Sequence, residues 1–135
     1  MMGAVAPFVV ALGAFLVLDG LWLGVVMGGF YRTQLGPIAR LSAGGFAPIW
    51  WAAGLVYVLL AAGIAGLVVP RAATPAAALA WGALFGLVVY GVYDLTNLAT
   101  LRAWPPLLTV VDIAWGTSAC ACAAWLTVTV LRWWR

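Results

Sequence analysis

Four long apolar runs divide the chain, at about Val5–Met27, Ala47–Val69, Ala76–Leu98 and Leu107–Leu131, and the six arginines all lie outside them. The three acids do the opposite: Asp19, Asp94 and Asp112 fall inside the first, third and fourth runs. A helix needs roughly 20 apolar residues to cross a bilayer. Backbone groups that cannot meet water in lipid must be satisfied within the helix. The pattern therefore predicts an all-α integral membrane bundle of four transmembrane helices, forming a single domain over residues 1–135.

Composition narrows this further. Hydrophobic residues make up 67% of the chain and charged ones 7%, against about a quarter charged in soluble domains. A chain this short cannot hide so much apolar surface from water, so lipid is the expected solvent. The first run is expected to be an uncleaved span rather than a signal peptide: the chain's first arginine is Arg32, the run is too long, and Asp19 lies within it. Arginines do not decide orientation. Arg32, Arg40 and Arg102 face one side, and Arg71, Arg132 and Arg135 the other. The terminal RWWR anchor and the free N-terminus favour cytoplasmic termini.

Small residues mark packing faces. Gly20, Gly24 and Gly28 recur along one face of the first helix, and Gly82 and Gly86 along one face of the third. Such spacing lets helix backbones approach closely; tight packing within the chain is the plainer reading, and a homodimer through Gly20, Gly24 and Gly28 the other. Trp50, Trp51, Trp104, Trp133 and Trp134 sit at the run edges, where aromatic belts form. The first connection places Phe30, Leu35, Ile38 and Leu41 around two arginines, as in an amphipathic piece lying along the interface. Cys120 and Cys122, two apart on a helix, suit neither a disulfide nor a tetrahedral metal site.

Missing residue types remove whole chemistries. No lysine means no Schiff base, so retinal and pyridoxal chemistry are out. No histidine removes bis-imidazole haem, histidine zinc sites and serine–histidine hydrolysis. Lacking glutamate as well, the chain has no di-iron ligand set. No cofactor and no nucleic-acid partner is expected.

The acids carry what chemistry remains. A carboxylate in a membrane helix costs on the order of 2.5–3.5 kcal/mol and normally faces the bundle interior with a partner. Asp94 lies about four residues from its helix end, Asp112 about five from its start and Asp19 about eight from its end. In alternating helices those ends share one side, so the acids converge in one half of the bundle, the outer half if the termini are cytoplasmic. Tyr90, Asp94 and Asn97 share a helix face; Tyr93 adjoins it, Tyr57 reaches the bundle from the second helix, and Arg102 is the nearest counter-ion, with Arg32 and Arg40 as alternatives. An internal echo, LDGLWLG against VDIAWG, puts Trp22 three residues after Asp19 and Trp115 three after Asp112. In antiparallel helices this levels Trp115 with Asp19 and Trp22 with Asp112. Two reciprocal indole-to-carboxylate bonds would satisfy donor and acceptor together.

The stretches DGLWLG…FYRTQLG, YDLTNLATLRAWP and TVVDIAWGT are similar to the signature of a family of small bacterial inner-membrane proteins with four predicted spans, grouped as a domain of unknown function. The resemblance covers nearly the whole chain, the second helix least distinctively. It implies a four-span bundle in the bacterial inner membrane and singles out Asp19, Tyr31, Asp94, Asn97, Asp112 and Trp115. Genes of that family often neighbour those for fatty-acyl-modifying methyltransferases and flavin-dependent oxidoreductases, which implies a lipid context.

The leading expectation is a membrane protein whose intramembrane polar chamber binds or carries a small amphiphile or lipid, with apolar walls and few polar groups. Its ligand-binding residues would be Asp19, Trp22, Tyr31, Tyr90, Tyr93, Asp94, Asn97, Arg102, Asp112 and Trp115. Proton-coupled transport through the clustered acids is an alternative, as are a lipid-modifying accessory enzyme using Asp94 as acid or base and a scaffold whose aspartates only fasten helices. No catalytic set is evident. The Tyr93–Asp94 and Asp112 pair is similar in outline to that of intramembrane aspartyl proteases, but Asp112 follows Val-Val, and no Pro-Ala-Leu element is present.

Overall fold

Proline starts two of the long helices. Helix α4, Pro75–Thr100, opens on Thr74, whose Oγ1 accepts a hydrogen bond from the Ala77 N–H at 3.1 Å, with Pro75 at the first helical position. Helix α5, Pro106–Trp133, also has proline at its first position, but it follows Pro105 and has no side-chain cap. Proline suits these positions because its missing N–H would be unpaired there anyway. The computed structural model describes residues 3–134. Helix α1, Val5–Leu21, runs into a wider turn at Trp22–Val26, and α2 spans Gly28–Leu35. A hairpin of two short antiparallel strands follows, β1 at Leu41–Ser42 and β2 at Gly45–Phe46, with Leu41 opposite Phe46. Gly45 turns it at φ 116°, a conformation costly for any residue with a Cβ. Helix α3, Trp50–Gly63, continues through a wide turn at Ile64–Val68 and a tight one at Val69–Arg71.

Among the described residues, four helices are long and apolar enough to cross a membrane: Val5–Val26, Trp50–Arg71, Pro75–Thr100 and Pro106–Trp133. The fold class is thus the all-α membrane bundle. Their outer faces suit lipid, with Val25 and Leu59 at 76% and 70% exposed. Helices α4 and α5 form the most extensive pair; α1 packs against α5 and α3. One core of Ala11, Phe15, Leu60, Ile64, Ala123 and their neighbours fills the end of the bundle near Arg71 and Arg132. A smaller cluster of Tyr31, Trp104 and Leu108 fills the opposite end.

The α4–α5 pairing rests on absent side chains. A Cβ on Gly82 would fall 2.6 Å from the Cys120 carbonyl oxygen, and one on Gly86 would press on the Gly116 carbonyl. Gly116 in turn lies flat against the Tyr90 ring. Gly86→Ala should therefore cost about 1–3 kcal/mol through overpacking, read as a shift in the unfolding midpoint in mixed micelles. Gly20 and Gly24 behave differently. Nothing lies within 4 Å of where their Cβ atoms would be. The close packing expected of the first glycine face is not what these two residues do.

Two further expectations are corrected. The first connection is not a single amphipathic stretch but a helix and a hairpin, and the helix buries Tyr31 to 6% exposure. Trp104 does not sit in a wet belt: it is buried, and its Nε1–H donates to Thr109 Oγ1 at 3.0 Å. Trp50, Trp51, Trp133 and Trp134 are exposed, as belt residues are.

Candidate functional site

The site begins at the wide turn of Trp22–Val26. An i→i+5 bond from the Met27 N–H to the Trp22 carbonyl at 2.7 Å lets α1 end and α2 fold back. Tyr31, nine residues beyond Trp22, thereby returns to it: Trp22 Nε1–H donates to Tyr31 Oη at 3.1 Å. Tyr31 O–H then donates to Asp112 Oδ1 at 2.5 Å. On the other side Trp115 Nε1–H donates to Asp19 Oδ1 at 2.7 Å, and the Tyr57 phenol stands close to the same carboxyl. The two indoles are stacked, with centroids 4.2 Å apart and planes 1° from parallel. Of the two reciprocal clamps that the Asp–Trp echo suggests, one is direct. The other is relayed through Tyr31, because Asp112 meets the phenol rather than the Trp22 indole.

Beside this network lies a cavity of about 950 Å³ between α1 and α3. Leu16, Gly20, Leu23 and Gly24 form its wall on the first span, and Ala53 and Val56 its wall on the second. Asp19, Tyr57, Tyr90, Asp112 and Trp115 make the polar floor, and Arg40, Phe46 and Trp50 surround the mouth by the hairpin. Gly20 and Gly24 thus supply the space itself.

Asp94 stands behind this floor, outside the cavity lining. It is fully buried, and neither carboxyl oxygen receives a hydrogen bond. Its close polar neighbour is the carboxyl of Asp112. The counter-ion expected from Arg102 is not there, since Arg102 is exposed on the α4–α5 connection. Tyr93 also leaves the group: it is 56% exposed, with its ring edge-on to Trp104 at 5.8 Å. Asn97 is half-buried beside Tyr93 rather than in the cavity. The structure therefore gathers Asp19, Trp22, Tyr31, Tyr90, Asp112 and Trp115, sets Asp94 against their back, and leaves Tyr93, Asn97 and Arg102 outside. Tyr57 and Arg40, weighed on sequence only as secondary candidates, both line the cavity. The signal for Tyr57 was its place as the lone phenol in an otherwise apolar second helix.

Burial, reinforced by the bond to Asp112, holds the Tyr31 phenol above its ordinary range. A proton held more tightly folded than unfolded stabilises the fold fully below the unfolded value, about 10 for tyrosine, and that contribution fades as pH rises past it. Tyr31→Phe should remove the phenol from both partners, cost about 1–3 kcal/mol by leaving Asp112 short of a donor, and flatten the stability loss above about pH 10. Unfolding midpoints from pH 7 to 11 check both.

A four-helix membrane bundle with a network of carboxyls, indoles and a phenol at one end is the class of protein these features define. The chain belongs to the family described as predicted membrane protein (DUF2177), whose model matches residues 4–129. No curated protein and no solved structure matches it.

Proposed function

We propose that the protein binds one small amphiphile or lipid in the plane of the membrane, holding its polar head at the carboxyl floor and its apolar part between α1 and α3. The observation that carries this reading is the cavity: about 950 Å³, apolar at its walls and polar at its floor. Ligand sites commonly have volumes of roughly 300–1,000 Å³ and pair apolar walls with few polar groups. Carriage of the ligand, rather than catalysis on it, fits a floor whose donors, Trp115 and Tyr31, are already committed to its carboxyls.

Gly20→Leu tests the reading. Gly20 lines the cavity with open space at its Cβ position, so leucine would fill the chamber without displacing the fold. Leucine would also favour the helix by up to about 1 kcal/mol. Mass spectrometry of protein purified in lipid nanodiscs should find a molecule enriched with the wild type and reduced at least about tenfold, or about 1.4 kcal/mol in affinity, in Gly20→Leu. Bulk lipid alone in both proteins, or equal retention of the enriched molecule, would overturn it.

A further inference from the structure

The floor of the cavity is electrostatically one-sided. Asp19 and Asp112 both line it. Their donors are the neutral groups Trp115 and Tyr31, with the Tyr57 phenol nearby. A carboxylate offers about four acceptor positions, so these few partners leave acceptor capacity on both acids. Asp94, fully buried with both oxygens lacking a donor, adds a third carboxyl directly behind Asp112. The chain has no lysine and no histidine to offset them, and the arginine that lines the cavity, Arg40, is exposed at the mouth. Aromatic groups supply the remaining surface: Trp115, stacked on Trp22, with Tyr57 and Tyr90 beside it. Carboxylates combined with aromatic rings attract cations through charge and through the ring faces.

Resting on the proposed amphiphile site, we infer that its ligand is cationic: a single apolar chain or ring system bearing a protonated amine, whose ammonium sits between Asp19 and Asp112. The ammonium supplies N–H donors to acceptors that have room for them and the positive charge that the floor lacks. An anionic head would meet the carboxyls, and a neutral hydroxyl would answer the hydrogen bonds but not the charge. The apolar part of the ligand leaves between Leu16 and Leu23 on one side and Val56 on the other.

Three probes with the same dodecyl chain decide this: dodecylamine, dodecanol and dodecyl phosphate, offered together to the protein in a neutral detergent. Native mass spectrometry reads the one-to-one adducts. The amine adduct should exceed the alcohol adduct by at least about tenfold, with the phosphate weakest. Asp19→Asn and Asp112→Asn should each erase most of the amine preference while still admitting the alcohol. Near-ultraviolet circular dichroism of the stacked indoles confirms that each variant is folded; if neither folds, the wild-type ranking decides alone. Alcohol or phosphate adducts equal to the amine would overturn the cationic assignment and leave the amphiphile site standing. Failure of all three probes to form a one-to-one adduct would bring down the site as well.

Discussion

Trp115→Ala should be the most damaging single change to the network around Asp19 and Asp112, costing about 3 kcal/mol, at the low end of the range of about 3–5 kcal/mol seen for buried aromatics. The low end applies because Trp115 is only half-buried, and because lipid tails are as apolar as a core, so that removing it forfeits packing and hydrogen bonding more than hydrophobic transfer. Three interactions go at once: the 4.2 Å stack on Trp22, the 2.7 Å bond to Asp19 and the cavity wall. Trp115→Phe separates them. It keeps a ring against Trp22 but leaves Asp19 dependent on Tyr57, so it should cost about 1–3 kcal/mol, the penalty for a buried acceptor that loses its donor. Reversible unfolding in mixed micelles, followed by tryptophan fluorescence, gives both values. Equal losses for Ala and Phe would place the whole effect in the hydrogen bond, and a negligible loss for Phe would place it in the stack.

The spans were legible because charge is excluded from lipid over a length set by the bilayer, and the chain obeys that rule in four places. The meeting of Asp19 with Trp115 was legible too, because depth along antiparallel helices follows from counting residues. Facing was harder. Tyr90, Asp94 and Asn97 share a helical stripe, yet Tyr90 reaches the cavity, Asp94 meets Asp112, and Asn97 lies toward Tyr93. A stripe at 3.6-residue period says which side chains are neighbours on one helix, but not where a crossing partner divides them. Tyr31 was singled out only by family resemblance, since its burial depends on the wide turn at Trp22–Val26, which no hydrophobic pattern encodes. Spacing alone also misjudged the packing of Gly20 and Gly24 within the chain. Small residues at every fourth position permit a neighbour to approach, and the same absence of side chains opens a cavity when no neighbour comes.

Asp94→Asn should raise stability by about 1.5–3 kcal/mol, the worth of a hydrogen bond to a charged group. In the native protein the Asp94 carboxyl faces the Asp112 carboxyl and receives no donor on either oxygen. Two carboxylates side by side repel, and neither can donate to the other without a proton between them. Asparagine has nearly the same shape and carries an N–H2 group that can donate to Asp112, turning an acceptor facing an acceptor into a matched pair. Asp94→Leu fills a similar volume but donates nothing, so the difference between the Asn and Leu variants isolates the hydrogen bond from the relief of repulsion. Chemical unfolding of the three proteins in the same micelles at pH 8 measures it, with Asn the most stable. Destabilisation by both substitutions would mean that the two carboxyls already share a proton, a bond stronger than the one asparagine can offer Asp112. The buried acid would then be one half of a proton-sharing pair with Asp112 rather than an unmatched acceptor behind the floor.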